Sequence, residues 1–434
     1  MRRTIKSGGR VPKEVTVPAS KSHTIRALLI AAAAEGVSEI LNPLVSEDSK
    51  SCISAVRQMG AEVTTEESRW IVKGTAGKFF LNSGNAEEDV VVDTGNSGTT
   101  LYLAAGLAAL SDRAVTFTGD DQIRSRPAGN LLKSLSDLGV SVFYKMKEGY
   151  PPFTIQGHLT GGTTSIECPS SQYLSSLLLC APLSPGETVI EVPLLREQPY
   201  VEMTLRWLDE QEIEYKNNDF KQFIIPGKQM YRSFKKQIPG DSSSAAFFLC
   251  AAAITRSTVI LRGLDMGDSQ GDKAVVPMLE QMGCAVERGN DFVKIEGRPL
   301  KGHTFDLNDT PDALPAMAVT ACFAEGETRL INVPQARLKE TDRIAVMTRE
   351  LSKMGADIEE LPDGLVIRGR KSINGTFLKG APVSGHKDHR VIMALAIAAL
   401  RAEGETVIDD DSAVGVTFPD FFNFLYSDTE EDME

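Results

Sequence analysis

One recurring pattern constrains the fold of this chain more than any other feature. A predicted helix ends at a hydrophobic residue and Gly, a strand and a polar turn follow, and a second strand closes on another Gly. The clear copies are QMGAEVTTEESRWIVKG, DLGVSVFYKMKEGYPPFTIQG, QMGCAVERGNDFVKIEG and KMGADIEELPDGLVIRG, and a looser one is EQEIEYKNNDFKQFIIPG. Neighbouring copies lie about 70 to 80 residues apart, which exceeds the period of solenoid repeats, so each predicts a whole βαβαββ-sized unit.

A small polar cluster precedes an Ala- and Leu-rich helix in every unit. The six segments are PASKSHTIRALLIAAAA, DTGNSGTTLYLAAGLAAL, PSSQYLSSLLLCAPL, PGDSSSAAFFLCAAAI, NDTPDALPAMAVTACF and GHKDHRVIMALAIAAL. Ser, Asp and Asn are ordinary N-caps, and capping explains each cluster taken singly. A helix N-terminus also carries partial positive charge and free N–H donors, so several such ends converging on a cleft predict an anion-binding site.

The units predict two lobes of three units each. A chain of 434 residues exceeds what one hydrophobic core usually spans. The Pro239–Gly240 step between the third and fourth units is the expected boundary. The N-terminal strand has no unit of its own, and the sixth unit lacks a closing hairpin, so we expect the N-terminal segment to complete the last unit. The expected domains are therefore 19–239 and a discontinuous lobe of 1–18 plus 240–434, with the active site in the cleft between them.

Composition excludes several classes of protein. The formal net charge is -13, whereas nucleic-acid proteins usually present a basic surface, so an anionic small ligand needs a local cationic cluster. The six cysteines form no C-x-x-C pair and several lie in apolar runs, which is typical of reduced core residues in a cytoplasmic protein. No apolar run approaches the roughly 20 residues that span a bilayer, and the N-terminus lacks an apolar signal region, so we expect a soluble protein that is not exported.

Candidate anion-binding residues in the first lobe lie where helices are predicted to begin. Lys21, Ser22 and Arg26 lie at the start of the first helix, with Arg26 one turn after Ser22 and on the same face. This pattern suits a phosphate, although exposed cations on a capped helix explain it equally. Asn96 lies in a TGNSG segment whose glycines allow close backbone approach, and RSRP follows later in the same unit. The neutral side chains of PSSQ could read a sugar-like ring and its phosphate, or could simply cap a helix.

The second lobe carries the densest charge cluster, PQARLKETDRIAVMTREL. A charge run is usually a solvated face. However, Glu340 between cations is also a plausible acid or base, and Asp312 adds a second carboxylate. His386 and His389 have no third ligand nearby in sequence, so we interpret them as solvated residues at a helix start, not as a metal site.

The ordered blocks resemble the signature motifs of the EPSP synthase family. They are PASKSHTIRALL, TGNSGTT, RSRPAGNLL, PSSQYLSSL, PGDSSSAAFFLCAAAI, DSQGDK, TPDALPAMA, RLKETDR, KDHRVIMALAIAAL and TFPDFF, from about Pro18 to Phe422. The resemblance implies a mixed α/β (α+β) protein with a two-lobed, inside-out α/β barrel, the enolpyruvyl transferase fold, built from six βαβαββ units, three per lobe.

The resemblance also implies a function and a set of site residues. The enzyme transfers the enolpyruvyl group of phosphoenolpyruvate to the 5-hydroxyl of shikimate 3-phosphate, in the shikimate pathway to chorismate and aromatic amino acids, and the family is the target of glyphosate, which occupies the phosphoenolpyruvate site. The implied catalytic residues are Asp312, Glu340 and Lys21. The implied shikimate 3-phosphate residues are Lys21, Ser22, Arg26, Ser170, Ser171, Gln172, Tyr200, Asp312, Gln335 and Lys339. The implied phosphoenolpyruvate residues are Lys21, Asn96, Gly98, Arg126, Gln172, Arg343, His389 and Arg390.

The implied chemistry is addition followed by elimination, with no metal and no organic cofactor. Lys21 is the cation shared by both ligands, Asp312 accepts the proton of the attacking hydroxyl, and Glu340 exchanges a proton at the methylene carbon. The implied partners are the two small-molecule substrates, without nucleic acid or membrane, and we expect a cytoplasmic monomer.

Some positions depart from well-known members of the family. These are Tyr102 where many have Arg, Glu197 where some have Ser, Gln335 where some have Asn, and Val416 where many have Lys. An enolpyruvyl transferase with another acceptor, such as a UDP-sugar, is the alternative. That family normally carries a Lys-Asn pair in the first block and a loop cysteine near the Arg-Pro step, whereas this chain has Lys21-Ser22 and no cysteine around Arg126. A non-catalytic two-lobed anion-binding protein would need no Glu340 among the cations.

Overall fold

The chain divides into two compact units. The computed structural model describes residues 1–8, 11–79, 90–111, 113–369 and 378–426. One unit is Ala19–Pro239, and the other joins Met1–Pro18 to Gly240–Glu434. The chain begins with two short strands, β1 (Arg3–Lys6) and β2 (Glu14–Thr16).

The continuous unit alternates helices and strands. Its strands are β3 (Val37–Leu41), β4 (Glu62–Thr65), β5 (Arg69–Lys73), β6 (Val90–Asp93), β7 (Val115–Thr118), β8 (Ser141–Tyr144), β9 (Phe153–Gln156), β10 (Gly162–Cys168), β11 (Thr188–Leu195), β12 (Lys216–Asn218), β13 (Gln222–Ile225) and β14 (Lys235–Gln237). Its helices are α1 (Lys21–Ala33), α2 (Glu47–Gln58), α3 (Gly98–Ala108), α4 (Asp121–Arg124), α5 (Gly129–Asp137), α6 (Ser171–Cys180) and α7 (Gln198–Glu210).

The discontinuous unit repeats the same alternation. Its remaining strands are β15 (Thr258–Arg262), β16 (Ala285–Arg288), β17 (Phe292–Glu296), β18 (Thr304–Asp306), β19 (Gly326–Ile331), β20 (Ile358–Leu361), β21 (Gly364–Gly369), β22 (Pro382–Val383) and β23 (Glu405–Ile408). Its helices are α8 (Ser242–Thr255), α9 (Val275–Met282), α10 (Leu314–Cys322), α11 (Arg343–Lys353), α12 (His389–Ala399) and α13 (Phe421–Tyr426).

The sheets show one repeated topology. In the continuous unit the strand orders are β14-β3-β5-β4, β6-β7-β9-β8 and β10-β11-β13-β12. In each, the first pair is parallel and the other two are antiparallel. The orders β2-β15-β17-β16 and β18-β19-β21-β20 in the other unit follow the same rule. The hairpins that end each of these sheets are the repeated segments of the sequence.

The N-terminal segment contributes to two different sheets. Strand β1 pairs antiparallel with β23, with Arg3 opposite Ile408, so it completes the sixth sheet, whose order is β1-β23-β22. Strand β2 instead pairs parallel with β15, so it supplies the leading strand of the fourth unit. The first of the six repeats takes its leading strand, β14, from the C-terminal end of the compact unit Ala19–Pro239, where β14 pairs with β3.

The Ala- and Leu-rich helices form the centre of each unit. Every residue of α3 and of α12 is buried. Helix α3 packs against α1 and α6, whereas α8, α10 and α12 all pack against one another. Small side chains allow this close approach: a Cβ added to Gly106 of α3 would lie 2.4 Å from Ser176 Oγ of α6. The polar residues that precede these helices therefore lie at the ends of buried elements. None of the described helices combines the length and the apolar character needed to cross a membrane.

Candidate active site

The start of α1 holds its lysine by an ion pair within the continuous unit. Ser20 caps the helix, and its Oγ accepts a hydrogen bond from His23 N at 3.4 Å. Lys21 Nζ lies 3.0 Å from Asp48 Oδ2, with the lysine side chain 13% exposed and the aspartate 4%. Asp48 lies in the first turn of α2, which a Ser46–Ser49 capping box begins. Asp48 therefore fixes a mostly buried ammonium group at the N-terminus of α1, next to the half-buried Ser22.

Arg26 is a buried cation whose hydrogen-bond partners are neutral throughout the described part of the chain. Its Nε donates to Thr204 Oγ1 at 2.9 Å, and its Nη2 donates to Ser175 Oγ at 3.3 Å and to the Tyr200 carbonyl at 3.1 Å. Its Nη1 donates to the Ser22 carbonyl at 3.2 Å. Burial lowers the pKa of Arg26 to about 10. A nearby anion would therefore stabilise this guanidinium.

At the start of α3, a glycine accommodates an arginine. Ser97 caps the helix and Gly98 is its first residue. A Cβ built on Gly98 would lie 2.2 Å from Arg126 Nη1, so only a residue without a side chain lets this guanidinium lie where it does. Asn96 is held by hydrogen bonds from its Nδ2 to Asp120 Oδ2 and Gln122 Oε1, both at 2.6 Å. A guanidinium beside a helix N-terminus is a favourable site for an anion.

The start of α6 is occupied by the carboxylate of Glu197, which stands out in the sequence only as a departure from the family. Glu197 Oε2 accepts hydrogen bonds from Ser171 N at 3.1 Å, Ser171 Oγ at 2.9 Å and Ser170 Oγ at 3.5 Å. Glu197 is 2% exposed. Ser170 also caps α6. The Oε1 atom of Gln172 is buried and accepts no hydrogen bond from the described residues.

In the discontinuous unit, Arg343 joins three carboxylates. It is the first residue of α11 and its side chain is 1% exposed. Its Nη1 donates to Asp312 Oδ1 at 2.7 Å, its Nη2 to Glu340 Oε2 at 2.5 Å, and its Nε to Asp388 Oδ2 at 2.8 Å. Burial disfavours the charge, but Asp388, Glu340 and Asp312 outweigh that effect and raise the pKa of Arg343. The structure thus brings together residues from three segments that are far apart in sequence.

Asp312 lies among three cations. It belongs to a single 3₁₀ turn, Pro311–Ala313, that leads into α10. Arg343 Nη1 lies 2.7 Å from Asp312 Oδ1, Arg390 Nη2 lies 3.0 Å from its Oδ2, and Lys339 Nζ lies 3.9 Å from its Oδ1. Burial alone would raise the pKa of Asp312, but the charges of Arg390, Lys339 and Arg343 together hold it well below its ordinary value. In this state Asp312 is a weak base.

The start of α12 depends on Asp388, a residue that no sequence prediction included. Its Oδ1 caps the helix by accepting hydrogen bonds from Arg390 N at 2.9 Å and Val391 N at 3.4 Å. The same carboxylate binds Arg343, so it orients two cations at once. Its signal in the sequence was the N-cap position in HKDHR.

The expectation that both helix-start histidines are solvated is wrong for His389. His389 is 1% exposed, because α12 is buried along its whole length. The side chain of His386 is 29% exposed and its Nε2 lies 3.1 Å from Glu350 Oε1. No group of three or more residues suited to binding a metal ion occurs among the described residues.

Two of the positions that depart from the family, Gln335 and Val416, belong to the discontinuous unit. Gln335 is 2% exposed, and its Nε2 donates to the Asn308 carbonyl at 2.8 Å. Val416 ends the 3₁₀ segment Ser412–Val416, which packs against α12. Tyr102, in the other unit, is buried and donates to the Pro127 carbonyl at 2.9 Å.

Comparisons with known proteins agree over nearly the whole chain. The model of the family "EPSP synthase (3-phosphoshikimate 1-carboxyvinyltransferase)" matches residues 5–425. A 3-phosphoshikimate 1-carboxyvinyltransferase of Acetivibrio thermocellus is 52% identical over 411 residues, covering 95% of this chain and 94% of that protein. One from Methanocaldococcus jannaschii is 38% identical over 430 residues, covering 98% and 97%. A solved EPSP synthase structure from Acinetobacter baumannii superposes with a TM-score of 0.80 at 29% identity, covering 98% of this chain and 97% of that chain. The family model and these relatives match nearly the whole chain, including its repeated sheets and helix-start motifs. This chain therefore belongs to the EPSP synthase family.

Proposed function

We propose that this protein transfers the enolpyruvyl group of phosphoenolpyruvate to the 5-hydroxyl of shikimate 3-phosphate and releases inorganic phosphate. The observation that carries the proposal is the cluster of Asp312, Lys339, Glu340, Arg343 and Arg390, in which two carboxylates lie among three cations. Cations suit two anionic substrates, and carboxylates suit the proton transfers that the reaction needs. Family membership supports this assignment.

The reaction consists of two balanced steps. In the addition, the methylene carbon of phosphoenolpyruvate gains a proton, and the acceptor oxygen bonds to its central carbon as the hydroxyl loses its proton. In the elimination, the bond from the central carbon to the phosphate oxygen breaks and the methyl carbon loses a proton, which yields the enol ether and phosphate. Protonation of the methylene carbon leaves positive charge on the central carbon. Charged and polar side chains that are already oriented toward it stabilise this charge without reorganising during the step.

The acceptor is assigned to groups whose geometry suits an anionic, hydroxylated ring. The Arg26 guanidinium and the hydroxyls of α6 offer charged and neutral donors, and the Gln172 carbonyl offers a buried acceptor. The full proposed set is Lys21, Ser22, Arg26, Ser170, Ser171, Gln172, Tyr200, Asp312, Gln335 and Lys339.

The donor is assigned to arginines at helix N-termini. Arg126 lies against Gly98 at the start of α3, and Arg343 and Arg390 lie at the starts of α11 and α12. Phosphate and carboxylate groups favour both features. The full proposed set is Lys21, Asn96, Gly98, Arg126, Gln172, Arg343, His389 and Arg390.

Substrate binding itself is proposed to activate Asp312. In the structure, burial would raise the pKa of Asp312, but Arg390, Lys339 and Arg343 hold it well below the ordinary range. An anionic donor that binds these arginines partly neutralises their charge. The pKa of Asp312 then rises, so the carboxylate becomes a stronger base when the acceptor hydroxyl must lose a proton. Glu340, whose side chain is 9% exposed and paired with Arg343, is proposed to exchange the proton at the methylene carbon.

Phosphate release tests the proposal directly. Shikimate 3-phosphate and phosphoenolpyruvate together should release phosphate rapidly, whereas phosphoenolpyruvate alone should not. Release with a UDP-sugar and none with shikimate 3-phosphate would instead assign the alternative acceptor.

We also propose that the protein works as a monomer in the cytoplasm. All six cysteines are free thiols and all are buried, which suits a reducing compartment. Each compact unit has its own hydrophobic core. Size-exclusion chromatography with light scattering tests the monomer, since a mass near twice 47.1 kDa would contradict it.

A further inference from the structure

Glu197 combines two features that are unfavourable for a glutamate. Its backbone lies in the left-handed region, with φ 58° and ψ 41°, where side chains larger than Asn are uncommon. Its side chain is 2% exposed, although ionised carboxylates are costly to bury without partners. Such a residue persists when its surroundings stabilise it, and residues of this kind concentrate at functional sites.

The contacts of Glu197 are those that a bound oxyanion would make. One carboxylate oxygen accepts from a backbone N–H and from two hydroxyls at the N-terminus of α6, at 3.1, 2.9 and 3.5 Å. Helix N-termini bind phosphates through such donors. The carboxylate therefore occupies hydrogen-bond donors that are assigned above to the acceptor.

Two further polar groups, one on α6 and one that contacts it from α1, point to a ligand here. Arg26, a buried cation with neutral hydrogen-bond partners in the described residues, donates to Ser175 of α6. The buried Oε1 of Gln172, in the first turn of α6, accepts no hydrogen bond from the described residues. A buried positive charge that contacts α6 and an unsatisfied acceptor on α6 suit a ligand that carries both an anionic group and hydroxyls.

We propose that Glu197 is an internal competitor for the phosphate group of the acceptor. Its carboxylate occupies the donors at the start of α6 in the free protein, and a phosphate binds there by displacing it. Two anions cannot share these donors without strong repulsion. The inference rests on the proposed function, because the acceptor assigned to this site is a phosphorylated one.

This arrangement selects among phosphate-bearing molecules. Inorganic phosphate, which the reaction itself releases, has only its own charge with which to displace the carboxylate. An acceptor that also makes ring contacts has additional binding free energy for that displacement. Glu197 thus acts as a specificity-determining residue that lowers affinity for free phosphate more than for the whole acceptor.

Titration calorimetry with inorganic phosphate, on the full chain without substrates, tests the proposal. Glu197→Gln keeps the size and the acceptor oxygen of the side chain but removes its charge, so we expect phosphate to bind about tenfold more tightly or better. Glu202→Gln is the matched control. Glu202 lies on α7, where it accepts a hydrogen bond from Gln198 at 2.8 Å, and its neutralisation should leave phosphate affinity unchanged.

A second substitution tests whether the gain in phosphate affinity arises at the start of α6. Adding Ser171→Ala to Glu197→Gln removes one of the released donors, so most of the gained affinity should be lost. Glu197→Ser gives an independent removal of the charge and should also tighten phosphate binding, with circular dichroism confirming the fold. Unchanged or weaker phosphate binding in both folded Glu197 variants would overturn the proposal, as would a gain that survives Ser171→Ala.

Failure of this inference is distinguishable from failure of the proposed function. Phosphate binding is measured without turnover, so it reports on the α6 site whatever reaction the protein performs. Tighter binding in a protein that does not use shikimate 3-phosphate would refute only the proposed acceptor. Normal turnover with no change in phosphate binding would refute only the role of Glu197.

Discussion

Replacing Gly98 by Ala tests the assignment of the donor site most directly, because the clash it creates is defined by the structure. The added Cβ would lie 2.2 Å from Arg126 Nη1 and 3.3 Å from Arg126 Cζ. To restore an ordinary contact, the guanidinium has to retreat by roughly 1.2 Å. The first residue of α3 is buried, so the methyl group cannot turn toward solvent.

We expect the substitution to weaken the binding of phosphoenolpyruvate. A charged hydrogen bond contributes about 1.5 to 3 kcal/mol, so losing the smaller value raises the KM for phosphoenolpyruvate about tenfold. A misplacement of about 1 Å can cost up to about 100-fold in rate, which sets the upper range of the loss in kcat/KM. The KM for shikimate 3-phosphate should change little. Glyphosate occupies the phosphoenolpyruvate site in this family, so the wild type should be inhibited and Gly98→Ala should be more resistant.

Steady-state kinetics with each substrate varied in turn measure these effects, and glyphosate inhibition is measured in the same assay. Gly129→Ala is the matched control, because Gly129 is also the first residue of a helix, α5, yet its added Cβ meets its nearest neighbour at an ordinary 3.5 Å. An unchanged KM for phosphoenolpyruvate in Gly98→Ala, or an equal rise in both KM values, would refute the reasoning. A wild type that is already insensitive to glyphosate would show that other pocket residues decide its binding.

Lys21→Met and Glu340→Ala should each lower kcat about 100-fold or more with the fold intact, because we propose that their charges act in the transition state, and near-normal turnover would remove either residue from the mechanism. Val416→Lys should lower the KM for phosphoenolpyruvate if the missing lysine is uncompensated, and should raise it if a nearby cation already fills that role; no change in either KM would show that position 416 does not face the ligand. Burial would raise the pKa of Glu350, but hydrogen bonds, first from Lys353, lower it to about 2. Its stabilising effect is therefore complete above its ordinary pKa of 4.5 and is lost as pH falls toward about 2, so Glu350→Gln should flatten the fall of the melting temperature across this range, and an unchanged profile would contradict this assignment.

The repeated units could be read from the sequence because their signals are local. A glycine after the last helical turn and alternating apolar residues in the hairpin are set by backbone geometry within a few residues. The N-caps of α1, α3 and α6 follow from the same short-range chemistry. Motifs of this kind also carried the resemblance to the family.

The pairing of other distant segments was decided only by the tertiary structure. The N-terminal strand without a unit of its own predicted that this segment completes the last unit, where β1 pairs with β23, but no sequence pattern predicted that β2 pairs with β15. Strand β14 returns across nearly the whole continuous unit to pair with β3. A short extended segment has no local pattern that names its partner, because backbone hydrogen bonds are the same with any strand.

The partners of the charged groups were likewise set by the fold. Asp48 and Asp388 carried no prediction from the sequence, but packing places one against Lys21 and the other against Arg343. Glu197 looked like a substitution at a variable position until the left-handed turn before α7 brought its carboxylate to the start of α6. The sequence by itself determined which groups could carry charge, whereas the tertiary structure decided which charges meet, because electrostatic interaction depends on distance and burial and not on separation along the chain.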